Sequence, residues 1–164
     1  MVHKIILLIP FIIATIAIGI LGGVFNFIAV KHSTNIEFPT GIVKIDHDII
    51  KTEVAKSNAE HERWLMFRHD KIPLNSSMLL VYTNPDLYSI SLLNIEYNLD
   101  LIWFDEKGNA VYLINDAPPC KSIFDLSSCI YKNTQPAKYV IAATSGFITY
   151  HHITKGSKMT IISI

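Results

Sequence analysis

A run of 26 uncharged residues near the amino terminus, from Ile5 to Val30, constrains this chain more than any other feature. It reads IILLIPFIIATIAIGILGGVFNFIAV. At about 1.5 Å per residue, a helix of this length exceeds the roughly 30 Å hydrocarbon core of a bilayer. The run therefore predicts one transmembrane helix, with residues 1–30 as a membrane anchor, residues 31–39 as a linker and residues 40–164 as a soluble domain.

A secretory signal peptide is the alternative interpretation, because the short segment Met1–Lys4 is positively charged and an apolar run follows it. Signal peptides usually have an apolar region of about 7 to 15 residues, and no clear small-x-small cleavage site stands between Gly22 and Lys31. A retained anchor is therefore favoured. Its orientation is weakly determined, since a lysine flanks the run on each side.

The charges of the chain balance, with 14 basic and 14 acidic residues. Without Lys4 and the rest of the predicted anchor, 13 basic and 14 acidic residues remain in residues 31–164. A nearly neutral domain without a basic run offers little electrostatic attraction for nucleic acid. We therefore expect no nucleic-acid partner.

Cys120 and Cys129 lie nine positions apart in the loop-like segment PPCKSIFDLSSC. In an oxidising compartment, a disulfide between them would stabilise the domain by roughly 2.5 to 3 kcal/mol in the chain-entropy account. A zinc site is the weaker alternative, because structural zinc usually takes four ligands and no His or Cys stands close to this pair. The spacing favours the disulfide.

Short apolar runs follow one another through the soluble part, each bounded by Pro, Gly, Asn or Asp. The eight runs are GIVKID, IIKTEVA, MLLVYT, YSISLL, LDLIWFD, AVYLIN, KYVIAA and KMTIIS. Runs of this length and spacing predict strands, with hairpin turns at residues 46–48 and 105–109. The pattern predicts a mainly β fold, an antiparallel sandwich or barrel.

Two short helices are predicted among these strands. Ser57 and Glu60 match the capping-box pattern, so a helix is expected to begin at Asn58 and to continue through AEHERWLMFRHD, residues 59–70. At 3.6 residues per turn, the helix places Trp64 and Arg68 on one face. A second short helix is expected near residues 145–151.

The sequence contains no metal-binding or cofactor-binding motif with the required spacing. A zinc-protease helix needs a second histidine four residues after His61, and Leu65 stands there. His151 and His152 are adjacent, so their side chains diverge, and both are interpreted as surface or loop groups. No nucleophile signature, phosphate-binding glycine loop or dinucleotide fingerprint is present. We therefore expect neither a metal site nor a cofactor.

An ordered set of residues carries a resemblance to a known family. The set is Glu53-Val54-Ala55, Leu65-Met66-Phe67-Arg68, Met78-Leu79-Leu80, Asn94, Leu99-Asp100, Phe104-Asp105, Gly108, Pro119-Cys120 with Cys129, Tyr139-Val140, Gly146 and Gly156. Over about residues 45–162 the chain resembles domain-of-unknown-function family 192. The resemblance implies a compact β-rich fold of the sandwich or jelly-roll kind, often exported or tethered to a membrane, and no established activity.

The chain also departs from the family pattern. Glycine is usual where Trp64 and Ser77 stand, a Trp-Met pair where Ser91-Leu92 stands, threonine where Ile95 stands, and glutamate where Ala142 stands. A site that depends on that tryptophan or glutamate is therefore not expected here. We expect Trp64 to fill the space that the absent tryptophan would occupy.

Four polar residues that the family pattern shares are the candidate site: Glu53, Arg68, Asn94 and Asp100. Asp100 alternates with Leu99 and Leu101, which predicts that it points into apolar surroundings on the face of Ile102 and Phe104. A buried carboxylate needs a partner, and a bidentate contact from Arg68 is the expected one. This pairing predicts that the helix is a lid fixed across the sheet.

These inferences favour a single-pass protein of the cell membrane whose extracytoplasmic β-rich domain is a non-catalytic binding or interaction module. A small hydrolase or carbohydrate-active enzyme using Asp100 and Glu53 is the alternative, and two carboxyl groups about 5 to 10 Å apart in an open cleft would favour it. A third possibility is a structural partner of another membrane protein, indicated by the small-xxx-small spacing of Thr15, Gly19 and Gly23. The sequence does not separate a small-molecule ligand, a sugar and a protein partner, nor does it give the oligomeric state.

Overall fold

The computed structural model describes residues 37–164 apart from Ile123 and Asp125. Residues Glu37–Ile164 form one compact unit. The elements in chain order are β1 Thr40–Ile45, β2 Asp48–Ala55, α1 Asn58–Arg63, β3 Ser76–Asp86, β4 Ser89–Ser91, β5 Leu99–Phe104, β6 Ala110–Ala117, a 3-10 turn Leu126–Cys129, β7 Ile130–Lys132, β8 Ala137–Thr144, α2 Phe147–Tyr150 and β9 Met159–Ser163. The prediction of a mainly β domain with two short helices is confirmed, and all eight predicted strands overlap observed ones.

Seven strands join in one open sheet in the order β6-β5-β8-β3-β2-β1-β9, and β4 pairs with β7 in a separate two-stranded sheet. The prediction of an antiparallel sandwich or barrel is wrong on two points, because the large sheet does not close into a barrel and two of its strands are parallel. β2 and β3 are parallel, with Glu53 opposite Met78. The connection between them, residues 56–75, contains α1 and is long enough to return the chain to the same edge, which a parallel pair requires.

Each face of the large sheet carries a cluster of buried apolar side chains, because side chains alternate along each strand. The Phe147 cluster comprises Val43, Ile45, Ile50, Leu79, Ile102, Phe104, Ala110, Ile141, Ala143, Phe147, Ile148, Ile153 and Met159. The Trp103 cluster, on the other face, comprises Ala55, Trp64, Leu65, Ile72, Met78, Leu80, Ile90, Leu92, Ile95, Tyr97, Leu99, Leu101, Trp103, Ala117, Ala137, Val140 and Ala142.

The segment after α1 covers part of the Trp103 cluster. Trp64 is buried in this cluster together with Leu92 and Ala142, which stand where the family pattern has larger or polar residues. Trp64 is thus part of the core, and the expectation that it fills the space of the tryptophan usual at position 91 stays a prediction.

Backbone contacts link the two ends of the sheet near the β5–β6 turn. The amide of Met159 donates to the carbonyl of Gly108 at 2.7 Å, and the amide of Ala110 donates to the carbonyl of Ser157 at 2.8 Å. Gly108 has φ +81°, and a Cβ atom there would lie 2.2 Å from the Met159 carbonyl oxygen. Only glycine therefore fits this turn.

The capping box of α1 is confirmed, but the helix is shorter than predicted. The hydroxyl of Ser57 accepts a hydrogen bond from the amide of Glu60, and the Glu60 carboxylate accepts from the amides of Ser57 and Lys56. The helix ends at Arg63, so Arg68 is not part of it. The expected second helix is observed as α2.

The predicted disulfide is formed. Cys120 and Cys129 are bonded with their Cα atoms 5.0 Å apart, and Cys129 is fully buried. The bond joins the end of the 118–120 loop to the 3-10 turn that leads into β7.

The predicted membrane anchor, residues 1–30, lies outside the described residues. Within residues 37–164, no helix has the length and hydropathy needed to cross a bilayer.

Candidate functional site

Glu53 and Arg68 form the best-defined polar pair of the candidate site. Glu53 lies on β2, and Arg68 lies in the segment that follows α1. The two guanidinium nitrogens of Arg68 donate to the two carboxylate oxygens of Glu53 at 2.9 and 2.6 Å. The side chains remain 29% and 32% exposed. This is a bidentate contact at the surface, which combines directional hydrogen bonds with access from solvent.

The charge of Arg68 is fixed. The hydrogen bonds to Glu53 raise the pKa of the Arg68 guanidinium, so Arg68 carries its charge at every working pH. Tyr97 lies beside the pair, and burial raises the pKa of its hydroxyl. That hydroxyl donates to the backbone carbonyl of Asp70 at 3.3 Å. The surroundings of Arg68 therefore comprise one carboxylate and one neutral phenol.

Asn94 contributes to this region through its backbone. Its carbonyl accepts a hydrogen bond from the amide of Phe67 at 2.9 Å. Both residues have positive φ, +57° for Asn94 and +61° for Phe67, a conformation that is uncommon for a phenylalanine. The side chain of Phe67 is 60% exposed. The chain thus holds an exposed aromatic side chain next to Arg68 in sequence, at a cost in backbone strain.

Asp100 is buried as predicted, but its predicted partner is wrong. Its carboxylate is 1% exposed and accepts three backbone hydrogen bonds, from Asp116 at 2.8 Å, Gly146 at 3.1 Å and Ile148 at 2.8 Å. Arg68 does not reach it, because Arg68 lies over the opposite face of the sheet. The amides at the start of α2 take the place of the expected guanidinium, so Asp100 fixes α2 to the sheet.

The register of the sheet separates Asp100 from Glu53. Glu53 pairs with Met78, Met78 with Ala142, and Ala142 with Leu101. Asp100 is one residue from Leu101, so its side chain lies on the other face of the sheet. The two carboxylates therefore cannot flank one substrate, and the geometry required for a two-carboxylate hydrolase is not present at this pair.

His151 is a buried group and not the surface histidine that the sequence suggested. Its ring is 7% exposed, with Nδ1 2.6 Å from a carboxylate oxygen of Asp48 and Nε2 2.8 Å from the carbonyl oxygen of Leu74. The ring therefore contacts a carboxylate on one side and a backbone carbonyl on the other. His151 links α2 to β2 and to the connection before β3.

No group of three His, Cys, Asp or Glu side chains suited to a metal ion occurs among residues 37–122, 124 and 126–164. His61 instead contacts the carbonyl of Ala55 at 3.0 Å, and the exposed His69 contacts Glu96 at 2.7 Å.

Stacked aromatic rings lie on the surface near α1. The rings of Tyr82 and Tyr88 are 3.5 Å apart and nearly parallel, and the ring of His61 lies 4.6 Å from Tyr82. Burial raises the pKa of Tyr82 to about 12. Because Tyr88 covers one face of Tyr82, that face is not open to a sugar ring.

Sequence reasoning missed Phe67 and the pairing of Arg68 with Glu53. Phe67 belongs to four consecutive apolar residues that predict burial, and its positive φ has no signal in a single sequence. The pairing of Arg68 follows from the parallel crossover, which places the segment after α1 over the face of β2 that carries Glu53.

The sequence profile of an uncharacterised family, DUF192 ("Uncharacterized ACR"), matches residues 41–161. The chain belongs to the DUF192 family. The match covers all nine strands except the first residue of β1 and the end of β9, so the resemblance stated from the sequence is confirmed. No protein of curated function matches the chain.

Two crystal structures resemble the fold of this DUF192 chain. A proposed transcription regulator from Sinorhizobium meliloti 1021 has a TM-score of 0.69 at 16% identity, over 78% of this chain and 98% of that one. A protein of unknown function from Novosphingobium aromaticivorans DSM 12444 has a TM-score of 0.66 at 18% identity, over 80% of this chain and 96% of that one. At these identities the likeness shows the fold alone.

Proposed function

We propose that this DUF192 protein is a membrane-anchored, extracytoplasmic binding module whose recognition surface is formed by Arg68, Glu53 and Phe67, with Asn94 holding Phe67 in place. The observation that carries the proposal is the partly exposed Arg68–Glu53 contact beside an exposed phenylalanine held at positive φ. Strain of this kind persists where the surrounding structure imposes it, and it is frequent in binding sites.

The surface suits a partner with an apolar group next to an anionic one. Phe67 offers a rigid apolar contact of low conformational entropy, and the guanidinium of Arg68 offers planar donors that match a carboxylate. Aromatic residues and arginine are the side chains that most often dominate interface energies. A polypeptide segment with these two groups is therefore the partner class that we favour over a sugar.

A ligand screen tests the recognition surface. Carboxylate-containing peptides, oligosaccharides and metal ions are added to the compact unit Glu37–Ile164, and thermal unfolding is recorded. At about 100 times its dissociation constant, a ligand adds about 2.7 kcal/mol of stability. We expect a peptide to raise the melting temperature of the wild type and to lose this effect in Arg68→Lys and Phe67→Ala.

Tyr150→Ala is the matched control, since Tyr150 is 62% exposed against 60% for Phe67. It should retain the peptide effect. A peptide effect that survives both site variants, or a screen in which no peptide acts on the wild type, would refute this recognition surface.

The anchor is supported by the uncharged run of residues 5–30, and the extracytoplasmic location is supported by the disulfide, which persists in oxidising compartments. Alkaline carbonate extraction of membranes tests the anchor. We expect the full chain to remain in the membrane pellet, and its release into the supernatant would refute anchoring.

A further inference from the structure

The outward surface of β1, β2 and β9 is a sheet face that carries apolar side chains in contact with solvent. Val43, Ile45 and Ile50 belong to the Phe147 cluster, so the alternate residues of β1 and β2 point the other way. We define the isoleucine face as Ile42 of β1, Ile49 of β2 and Ile162 of β9. Their exposed fractions range from 39% to 68%.

The isoleucine face is contiguous. Ile42 pairs with Lys51, and Lys44 pairs with Ile49, so isoleucines and lysines occupy diagonal positions on the same two strands. A shallow depression is lined by Ile42, Ile49, Lys51 and Ser163.

Two lysines lie next to the isoleucines of this face. Lys44 and Lys51 are exposed and point outward beside the isoleucines. The outward carboxylate next to them, Glu53, is engaged by Arg68. Apolar side chains surrounded by lysines suit a bilayer surface with anionic headgroups, which attracts basic residues within about a Debye length. In a contact between two copies related by a twofold axis, the lysines of one copy would face the lysines of the other. Their repulsion disfavours a second copy as the occupant of this face.

If the apolar run is anchored as proposed, the short linker keeps the start of β1 near that membrane. The apolar run ends at Val30, and residues 31–39 precede β1. Nine residues span at most about 32 Å when fully extended. The start of β1 therefore stays within that distance of the bilayer that holds the run.

We propose that the isoleucine face docks on the anionic surface of the membrane in which the chain is anchored. This inference rests on the proposed anchoring. Docking places β1, β2 and β9 against the headgroups, with the isoleucines at the boundary of the acyl chains and the two lysines at the phosphates. Because Glu53 is also on the outward face of β2, the recognition surface lies at the edge of the docked region.

Tryptophan substitution with brominated lipids tests the proposal on the full chain. The chain is reconstituted into vesicles of phosphatidylcholine and phosphatidylglycerol, with or without brominated phosphatidylcholine. The native Trp64 and Trp103 are buried and give the baseline emission. We expect the added tryptophan of Ile49→Trp, and likewise of Ile162→Trp, to shift to the blue and to be quenched by brominated lipid.

Ile130→Trp is the matched control, because Ile130 is 45% exposed but lies on β7 in the two-stranded sheet. The tryptophan added at position 130 should be quenched less than half as much as the tryptophan added at position 49. The double variant Lys44→Glu/Lys51→Glu, made in Ile49→Trp, should lose most of the quenching. Urea unfolding of each variant confirms that the fold is retained.

The outcomes separate the inference from the anchoring on which it rests. Equal quenching at positions 49 and 130, or quenching at neither while the chain floats with the vesicles, would overturn docking and leave anchoring intact. A blue shift at position 49 without quenching, growing with protein density, would show that a second copy covers the face and would overturn docking. A chain that does not float with vesicles would overturn both.

Discussion

Asp100 shows how a buried carboxylate is stabilised by backbone amides. It accepts hydrogen bonds from three of them, two at the start of α2. In Asp100→Asn, the negative charge is lost and the side-chain NH2 group faces the backbone N–H donors. We expect the free energy of unfolding to fall by at least about 2 kcal/mol, measured by urea denaturation. The control is Asp70→Asn, an exposed aspartate, for which we expect a change within about 0.5 kcal/mol.

Trp64 is one of the residues at which this chain departs from its family, and it is buried in the Trp103 cluster. Removing its indole leaves a cavity in this cluster. We expect Trp64→Ala to lower the free energy of unfolding by about 3 to 5 kcal/mol, measured by thermal and urea unfolding. The neighbouring Phe67→Ala removes an exposed ring and should cost much less. If the two variants lose equal stability, the space-filling role of Trp64 is wrong.

At the scale of elements, α1 depends on its cap because six residues are too few for a stable isolated helix. Ser57→Ala removes the hydroxyl that accepts from Glu60, and we expect a loss of about 1 kcal/mol. The hydrogen bonds from Ser57 and Lys56 lower the pKa of Glu60 below its ordinary 4.5. The carboxylate's part of the cap is therefore present above pH 4.5 and is lost as pH falls through the lowered pKa.

Unfolding free energies measured across this acidic range check the cap. The difference between wild type and Glu60→Ala should be largest near neutral pH and should shrink as the solution becomes more acidic. Glu62→Ala, an exposed glutamate in the same helix, is the matched control. An equal pH response in both variants would contradict the role of Glu60.

The elements also show how far the sequence predicts this fold. Alternation and turn residues predicted eight strands, and the capping box located the first residue of α1, because these signals are local. β7 was missed because its residues, IYK, form no longer apolar run, whereas the equally short β4 lies inside the run YSISLL. The parallel pairing of β2 with β3 depends on the return of the chain after α1, although the length of residues 56–75 is a usable signal for such a crossover.

The candidate site was predicted less well than the strands, because its contacts join residues that are distant in the sequence. Burial of Asp100 follows from alternation along β5, so it was predictable. Its partners come from β6 and from the start of α2, which only the sheet topology brings together. Arg68 was assigned to the wrong carboxylate because the two candidates lie on opposite faces, and the face that α1 covers cannot be read from local pattern.

At the scale of the whole molecule, the large sheet has one face divided into a covered part and an open part. The segment after α1, together with β4 and β7, covers β8, β5 and β3 through the Trp103 cluster. The outward side of β1 and β9 instead carries exposed isoleucines. This division places Glu53 and Arg68 at the border between the covered part and the open part of the face.

The disulfide fastens the cover of the Trp103 cluster, since the amide of Leu92 donates to the carbonyl of Cys129 and the amide of Cys120 donates to the carbonyl of Leu92. Reduction should therefore lower the free energy of unfolding of the whole domain by roughly 2.5 to 3 kcal/mol, measured by urea denaturation with and without reductant. The variant Cys120→Ala/Cys129→Ala should lose a similar amount and show no response to reductant. Superimposable curves for the reduced and oxidised wild type would mean that the cover is held by packing alone, and the support that the disulfide gives to an oxidising location would weaken accordingly.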